Sequence, residues 1–253
     1  MAVRCEGRVA IVTGAASGLG RATSRALVEA GACVALLDHD DVVTGLADEL
    51  GGSTTGMKVD VVDPRSVRDG VRRVVDVLGR PSILVNAAGI APAGRITDGA
   101  EPGSLSLFRR AVEVNLIGLY DVMRWCATVM TENEPEDGER GVIVNVSSGA
   151  AWQGQRGQAA YAASKAGVMG LTLPVARDLA DYGIRVVAVA PGLFDTAMVE
   201  GLPERVRRQL EQMVLNPSRM GEPEEFAMLV RQIVENPYLN ATTINIDGGV
   251  RMT

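Results

Sequence analysis

Short runs of apolar, mostly β-branched residues recur along the chain at Val9–Val12, Cys33–Leu37, Met57–Val59, Ile83–Val85, Val142–Val146, Ile184–Val189 and Thr243–Ile246. Most are continuously apolar rather than alternating, which is the pattern of strands covered on both faces in a parallel sheet. Longer stretches with helical spacing lie between them, near 18–30, 41–50, 64–78, 105–130, 158–181 and 223–235. Asp63-Pro64 supplies a cap followed by a first-turn proline, and Gly31 and Gly183 stand where helices should stop. Seven strands and six crossovers predict an α/β fold over residues 1–253. The architecture expected is a single doubly wound, parallel seven-stranded sheet with helices on both faces.

Two stretches break this rhythm. Residues 131–140 are acidic and polar, which predicts a solvated loop. Residues 192–222 form a long connection in which Leu193, Phe194, Met198, Leu202, Met213, Val214 and Leu215 alternate with charges. That pattern predicts short amphipathic helices, and the position beyond a strand end predicts a substrate-binding loop or lid.

Composition narrows the chemistry. Of 25 basic residues only Lys58 and Lys165 are lysines, and His39 is the single histidine. A Ser-His-Asp hydrolase would have to use His39, a multi-histidine zinc site is excluded, and neither lysine sits in a P-loop. No metal site is expected. The three cysteines, Cys5, Cys33 and Cys126, are odd in number and widely spaced, as small apolar residues of a reducing compartment would be. No apolar run is long enough to span a membrane, and the first strand begins too early to leave room for a cleavable signal. A cytoplasmic enzyme is the expectation. With a net charge of −6 and dispersed arginines, no nucleic-acid surface is predicted.

The first strand runs into Thr13-Gly14-Ala15-Ala16-Ser17-Gly18-Leu19-Gly20 and then a helix. Glycines in this context turn the chain tightly, admit a pyrophosphate against backbone and aim a helix N-terminus at it. Asp38 closes the second strand, where a carboxylate accepts from adenosine ribose hydroxyls and repels a 2′-phosphate; NAD is therefore expected over NADP. Asp38 as a helix cap is the plainer alternative, although Asp40 and Asp41 are better placed for it. His39 reads as an exposed loop residue rather than a base.

Tyr161 and Lys165, four residues apart, share one face of a helix. A free phenol ionises near pH 10, so a neighbouring ammonium is needed to make it a useful base. Lysine also offers ribose hydroxyls a compact, rotating donor that arginine does not copy. Ser148 and Ser147 both follow the strand ending at Val146, and strand alternation does not choose between them as the hydroxyl that steadies a substrate oxygen. Asn115, a modest helix former inside a predicted helix, would bend it and hold a water that connects Lys165 to solvent.

Thr13–Gly20, Asn86-Ala87-Ala88-Gly89, Asn115, Ser148, Tyr161-x-x-x-Lys165 and Pro191-Gly192 together resemble the short-chain dehydrogenase/reductase family over essentially the whole chain. The second half is most similar to a branch acting on 3-hydroxyacyl-CoA thioesters. Gly157–Tyr161, Leu173–Ala180, Ala190–Phe194 and Pro217–Arg219 carry that similarity, and Leu173–Ala180 includes a helix-interior Pro174. The resemblance implies a Rossmann sheet, a homotetramer, a place in fatty-acid metabolism and Ser148 as the family serine. It places Gly14, Ser17, Gly18, Leu19 and Gly20 at the pyrophosphate, and Asp60 and Val61 at the adenine. Asn86, Ala88 and Gly89 fall behind the cofactor, with Pro191, Gly192, Phe194 and Thr196 toward the nicotinamide.

Oxidation of a 3-hydroxyacyl-CoA is the first substrate expectation. A hydroxysteroid or other alicyclic alcohol is the alternative, and a non-catalytic dinucleotide-binding scaffold is a third. Ala91, Pro92, Ala93, Trp152, Phe194, Met198 and Met213 offer an apolar lining, with Gln155 and Gln158 available to a thioester oxygen. Arg205, Arg207 and Arg208 read either as partners for CoA phosphates or, more simply, as a solvated helix face.

Overall fold

Strands buried from both sides send alternate side chains into two separate cores. In a computed structural model describing residues 4–196 and 203–251, seven strands do so. They are β1 (Val9–Thr13), β2 (Cys33–Asp38), β3 (Thr54–Lys58), β4 (Ile83–Asn86), β5 (Gly141–Val146), β6 (Ile184–Pro191) and β7 (Thr242–Ile246). All pair in parallel, in the order 3-2-1-4-5-6-7. The helices among the described residues are α1 (Gly18–Glu29), α2 (Val42–Leu50), α3 (Pro64–Leu78), α4 (Leu105–Val112), α5 (Leu119–Met130), α6 (Ala150–Gln153), α7 (Ala159–Leu179), α8 (Glu204–Glu211) and α9 (Pro223–Glu235). Ala10, Val12, Val34 and Leu36 pack with Leu27 of α1, Val43 of α2 and Phe226 of α9 on one face. Val9, Ile11, Ala35 and Leu37 meet Val67 of α3, Val122 of α5 and Ala176 of α7 on the other. Strand order reverses between β1 and β4, which opens a crevice at their carboxyl ends.

Local signals act as expected at several ends. The Asp63 side chain accepts from the Arg65 amide at 2.9 Å with Pro64 in the first turn. Gly183 adopts a left-handed conformation just before β6. α7 continues through Pro174. Cys5 and Cys126 are buried and Cys33 partly so, all as free thiols. No described helix is long and apolar enough to cross a membrane.

Three expectations change. The third strand runs over Thr54–Lys58, not 57–59, because an edge strand is selected by its fit rather than by double burial. Gly56 lets the backbone of α2 approach: a Cβ there would lie 2.2 Å from the Val43 carbonyl oxygen. The helix expected over 105–130 is divided by a π-helical turn, Glu113–Gly118, which turns Asn115 inward. Finally, the segment 131–140 is only partly a solvated loop. Glu139 is 9% exposed and accepts from Arg185 Nε at 2.5 Å and Arg8 Nη2 at 3.3 Å.

This buried triad knits the amino-terminal ends of the strands. Arg185 also donates to the carbonyls of Ile233, Val234 and Leu239, and Arg8 to the carbonyl and hydroxyl of Ser82. Burial pulls the Arg8 guanidinium below its usual range, and Glu139 pushes it back. Removing one member of such a group strands buried charge. Glu139→Gln is therefore expected to cost about 3–5 kcal/mol of stability. Urea unfolding should show a lowered midpoint at unchanged slope.

Candidate active site

The glycine loop after β1 is built by close approach. Gly14 has φ +65°, and a Cβ on it would lie 2.7 Å from the Ala88 amide nitrogen. One on Gly20 would lie 2.1 Å from the Gly14 carbonyl oxygen, so the first turn of α1 packs directly on the loop. Ser17, the residue before α1, makes no side-chain cap. Leu19 packs against the core, and Thr196 faces Gly18, whose Cβ would lie 3.3 Å from the threonine methyl. The Thr13 hydroxyl accepts from the Ala87 and Ala88 amides at 3.1 and 3.2 Å, which ties the ends of β1 and β4 together. A cradle whose close approaches fall on Gly14, Gly18 and Gly20, at a helix N-terminus, fits a dinucleotide's pyrophosphate.

Asp38, 8% exposed, ends β2 beside this loop. Its Oδ2 accepts from the Ala16 amide at 3.0 Å, while Oδ1 accepts from Asp40 N at 3.1 Å and pairs with His39 Nδ1 at 2.8 Å. The carboxylate thus anchors the glycine loop as well as facing the crevice. His39 itself projects into solvent. Asp60 is exposed, and its Oδ1 accepts from the Val62 amide at 3.0 Å. The Val61 carbonyl packs against Gly118 of the π turn. Asn86 donates to Asn145 Oδ1 at 2.9 Å, and its own buried Oδ1 has no protein partner among the described residues.

Tyr161 and Lys165 lie one turn apart on α7, with Lys165 Nζ 6.0 Å from the tyrosine ring centroid. Lys165 is 4% exposed and donates to the Val146 carbonyl at 2.8 Å. Burial pulls its ammonium down to about 8. No ion pair to it is found among the described residues. Burial pushes the Tyr161 phenol up, and a hydrogen bond with Ser148 pulls it part of the way back. Ser148 Oγ also accepts from the Ala150 amide at 3.1 Å. Ser147 turns the other way, donating to the Lys165 carbonyl at 2.8 Å, so the hydroxyl at the phenol belongs to Ser148.

Asn115 sits in the π turn between α4 and α5. Its Oδ1 accepts from Ile90 N at 2.8 Å, and Nδ2 donates to Ile90 O and Ser164 Oγ, both at 2.9 Å. Ser164 in turn donates to the Tyr161 carbonyl at 2.7 Å. Both amide protons are engaged by protein, so the side chain acts as a clamp between the loop after β4 and α7. Gly89 threads between the two: a Cβ there would lie 3.2 Å from Asn115 Oδ1 and 3.3 Å from Lys165 Nζ. Ser164 and Thr13 carry no chemical signature of their own. Only the fold reveals that they brace the site.

On the substrate side, Gln158 Oε1 accepts from the Gln155 amide at 2.9 Å, shaping the turn into α7. Both line a cleft of about 580 Å³ with Gly94–Thr97, Gly154, Arg156, Gly157, Ala159 and Ala162. Phe194 departs from its expected place in an apolar lining. Its ring is 8% exposed, packs edge-on against Phe226 at 6.2 Å and closes over Gly221. Aromatic burial in the core has claimed it. Ala91 and Ala93 are exposed, Pro92 and Met213 partly buried, and Trp152 is 47% exposed; Met198 and Leu202 lie outside the described residues. Pro191 accepts from the Gly149 amide at 2.9 Å, and Gly192 donates to the Ile246 carbonyl at 2.9 Å.

Residues 8–207 match the sequence profile of the short chain dehydrogenase family. The chain is 46% identical over 260 residues to 3-hydroxyacyl-CoA dehydrogenase type-2 of Bos taurus, covering 100% of this chain and 99% of that one. A 3-oxoacyl-(acyl-carrier-protein) reductase of Thermotoga maritima is 37% identical, over 98% of this chain and 99% of its own. Among solved structures, 3-hydroxyacyl-CoA dehydrogenase type-2 from Mycobacterium avium superposes with a TM-score of 0.93 at 38% identity, covering 98% of this chain and 97% of that one.

The lone ammonium sets a pH dependence. Below about pH 8 folded and unfolded chains both hold the Lys165 proton, and the full burial penalty stands. Between about 8 and the ordinary 10.5 the unfolded chain binds more protons, so this group's contribution to stability rises with pH. Without cofactor, Lys165→Met is therefore expected to be more stable than wild type at pH 7. The gain is about 1–3 kcal/mol after allowance for the orphaned Val146 carbonyl. Urea titrations at pH 7 and 10 should show that gap closing; a constant gap would contradict this origin.

Proposed function

The chain belongs to the short-chain dehydrogenase family, and from that premise we propose that it interconverts 3-hydroxyacyl-CoA and 3-oxoacyl-CoA thioesters with NAD as its cofactor. Family membership makes it an oxidoreductase that works with a nicotinamide dinucleotide. The observation that carries the chemistry is the placement of Tyr161 one helical turn from the buried Lys165, with Nζ 6.0 Å from the tyrosine ring centroid and Ser148 acting on the phenol. Support for the thioester comes from the relatives that share nearly the whole chain and are named for that substrate.

When bound, the dinucleotide supplies a hydride acceptor at its nicotinamide ring. Ser148 donates a hydrogen bond to the substrate oxygen and orients it toward the phenol. Tyr161 takes the alcohol proton on oxidation and returns it on reduction. Burial keeps that phenol protonated at neutral pH, so its base form requires positive charge beside it. Lys165 contributes such a charge and offers donors to the nicotinamide ribose. Asn115 is a positioning residue, holding Tyr161 through Ser164 and the loop through Ile90.

Gly14, Ser17, Gly18, Leu19 and Gly20 hold the pyrophosphate in this reading. Asp60 and Val61 border the adenine, Asn86, Ala88 and Gly89 back the crevice, and Pro191, Gly192 and Thr196 flank the nicotinamide. Phe194 contributes through its backbone. Gln155 and Gln158 border the thioester, and residues 192–222 form the lid of a single catalytic domain. Exposed Leu105, Phe108, Ile117 and Tyr120, with Leu173 on α7, supply apolar surface for a homotetramer.

Asp38 sets the cofactor preference. Three hydrogen bonds already occupy its oxygens, leaving one acceptor site on Oδ2 for a ribose hydroxyl while the charge still repels a 2′-phosphate.

NAD reduction with 3-hydroxybutyryl-CoA is expected to exceed that with any of a panel of hydroxysteroids; the reverse order would transfer the chemistry to the steroid class. Tyr161→Phe should lower kcat by about 10²–10⁴-fold. Calorimetry should then find NAD affinity within about twofold of wild type, since the phenol's proton transfer acts in the transition state rather than in binding. Wild type should favour NAD over NADP in kcat/KM by roughly tenfold or more, and Asp38→Asn should erode that ratio by removing the charge.

A further inference from the structure

We propose that Arg95 and Arg156 form a binding subsite for the phosphate groups of the substrate's carrier, in the cleft whose lining brackets Tyr161 in sequence. The assignment rests on the thioester reading and deepens it. Both residues line the cleft of about 580 Å³, Arg95 from the loop after β4 and Arg156 from the turn before α7. Gln158 and Ala162 of the same lining flank Tyr161 in sequence, which sets the cleft against the stretch of chain that carries the phenol.

The walls are braced. Gly94 N donates to Gly157 O at 2.8 Å and joins them. The Gln158 side chain holds its turn through the Gln155 amide. The other loop is closed by Gly103 N on Ile96 O at 2.8 Å and by the Thr97 hydroxyl on Glu101 O at 2.9 Å. Both guanidinium groups are exposed, and neither has an acid partner among the described residues. Asp98, the nearest carboxylate in sequence to Arg95, is turned onto the Ala100 and Glu101 amides at 3.0 Å each. By contrast, Arg207 pairs with Asp195 and Arg208 with Glu204 on α8, which weakens that helix as the phosphate site. A pair of unpaired planar forks across a preformed cleft suits a phosphate or diphosphate. A CoA thioester carries such groups, and a steroid alcohol has none.

The test compares 3-hydroxybutyryl-CoA with the N-acetylcysteamine thioester of the same acid, which lacks phosphate. For the Arg95→Ala/Arg156→Ala double variant, KM for the CoA thioester should rise about 10- to 100-fold. Its kcat should hold within about twofold, and kcat/KM for the truncated thioester should change by no more than that. Added salt should depress wild-type kcat/KM for the CoA thioester and leave the double variant flat. Arg73→Ala, exposed on α3 and outside the site, should match wild type. Equal losses on both thioesters, no loss on either, or an equal loss in Arg73→Ala overturns the assignment. Should wild type oxidise neither thioester, the substrate reading falls, and free CoA titrated into the NAD-loaded protein decides the subsite. Binding weakened at least tenfold by the double variant supports it; binding that is unaffected or absent overturns it.

Discussion

An ammonium buried without a carboxylate is an unfavourable arrangement, and the site is organised around how Lys165 is held. Its Nζ donates to the carbonyl of Val146, the last residue of β5, while the hydroxyl of Ser147 returns a bond to the Lys165 carbonyl. This reciprocal clasp fixes α7 against the end of β5 in both rotation and translation. Ser148 is next along the chain, and Tyr161 is one turn back along the helix. The distance between hydroxyl and phenol is therefore a consequence of how the lysine is satisfied. Loosening the clasp would release the pair that does the chemistry.

Neutral bonds from side chains to backbone extend this bracing to the other loops at the carboxyl ends. Thr13 joins the turn after β1 to that after β4, Asn115 clamps Ile90 and, through Ser164, the carbonyl of Tyr161. Ion pairs in these positions would have set fixed charges beside the glycine loop and competed with an anionic ligand for its N–H groups. Among the described residues, Asp38 is the carboxylate that anchors that loop. It does so at the adenosine end, where negative charge selects against an extra phosphate instead of opposing the pyrophosphate.

The central strands were legible because burial on both faces leaves unbroken apolar runs, and Tyr161–Lys165 was legible because a spacing of four has one helical meaning. Other features depended on information that periodicity does not carry. β3 lies at the sheet edge, so Thr54, Thr55 and Gly56 answer to the approach of α2 rather than to a core. A π turn shifts hydrogen bonding by one residue without altering which positions are apolar, and the inward turn of Asn115 was hidden with it. Glu139 sat within an acidic run, and only the meeting of Arg8 and Arg185 from distant segments makes it a buried counter-ion. Phe194 showed the reverse: an aromatic residue in a lid sequence was drawn into the core against Phe226.

Charge is treated in opposite ways at the two ends of the sheet. At the amino-terminal end, Arg8 and Arg185 share Glu139, and Arg185 is further saturated by three carbonyls at and beyond the end of α9. Those cations share a buried counter-ion within the fold, although Arg8 keeps one buried nitrogen, Nη1, without a partner among the described residues. At the carboxyl end Lys165 is buried as well, and among the described residues it meets a single carbonyl and no carboxylate, so part of its hydrogen-bonding and electrostatic capacity is unmet. Two donors of an ammonium in a dry site favour the arrival of hydroxyl or anionic groups by an amount that solvent does not screen. The folding cost of the lone lysine thereby becomes differential affinity for a ligand and for the phenolate beside it. The want of a carboxylate partner, more than burial, charge or an unpaired donor alone, separates the cation poised for chemistry from those that hold the sheet together.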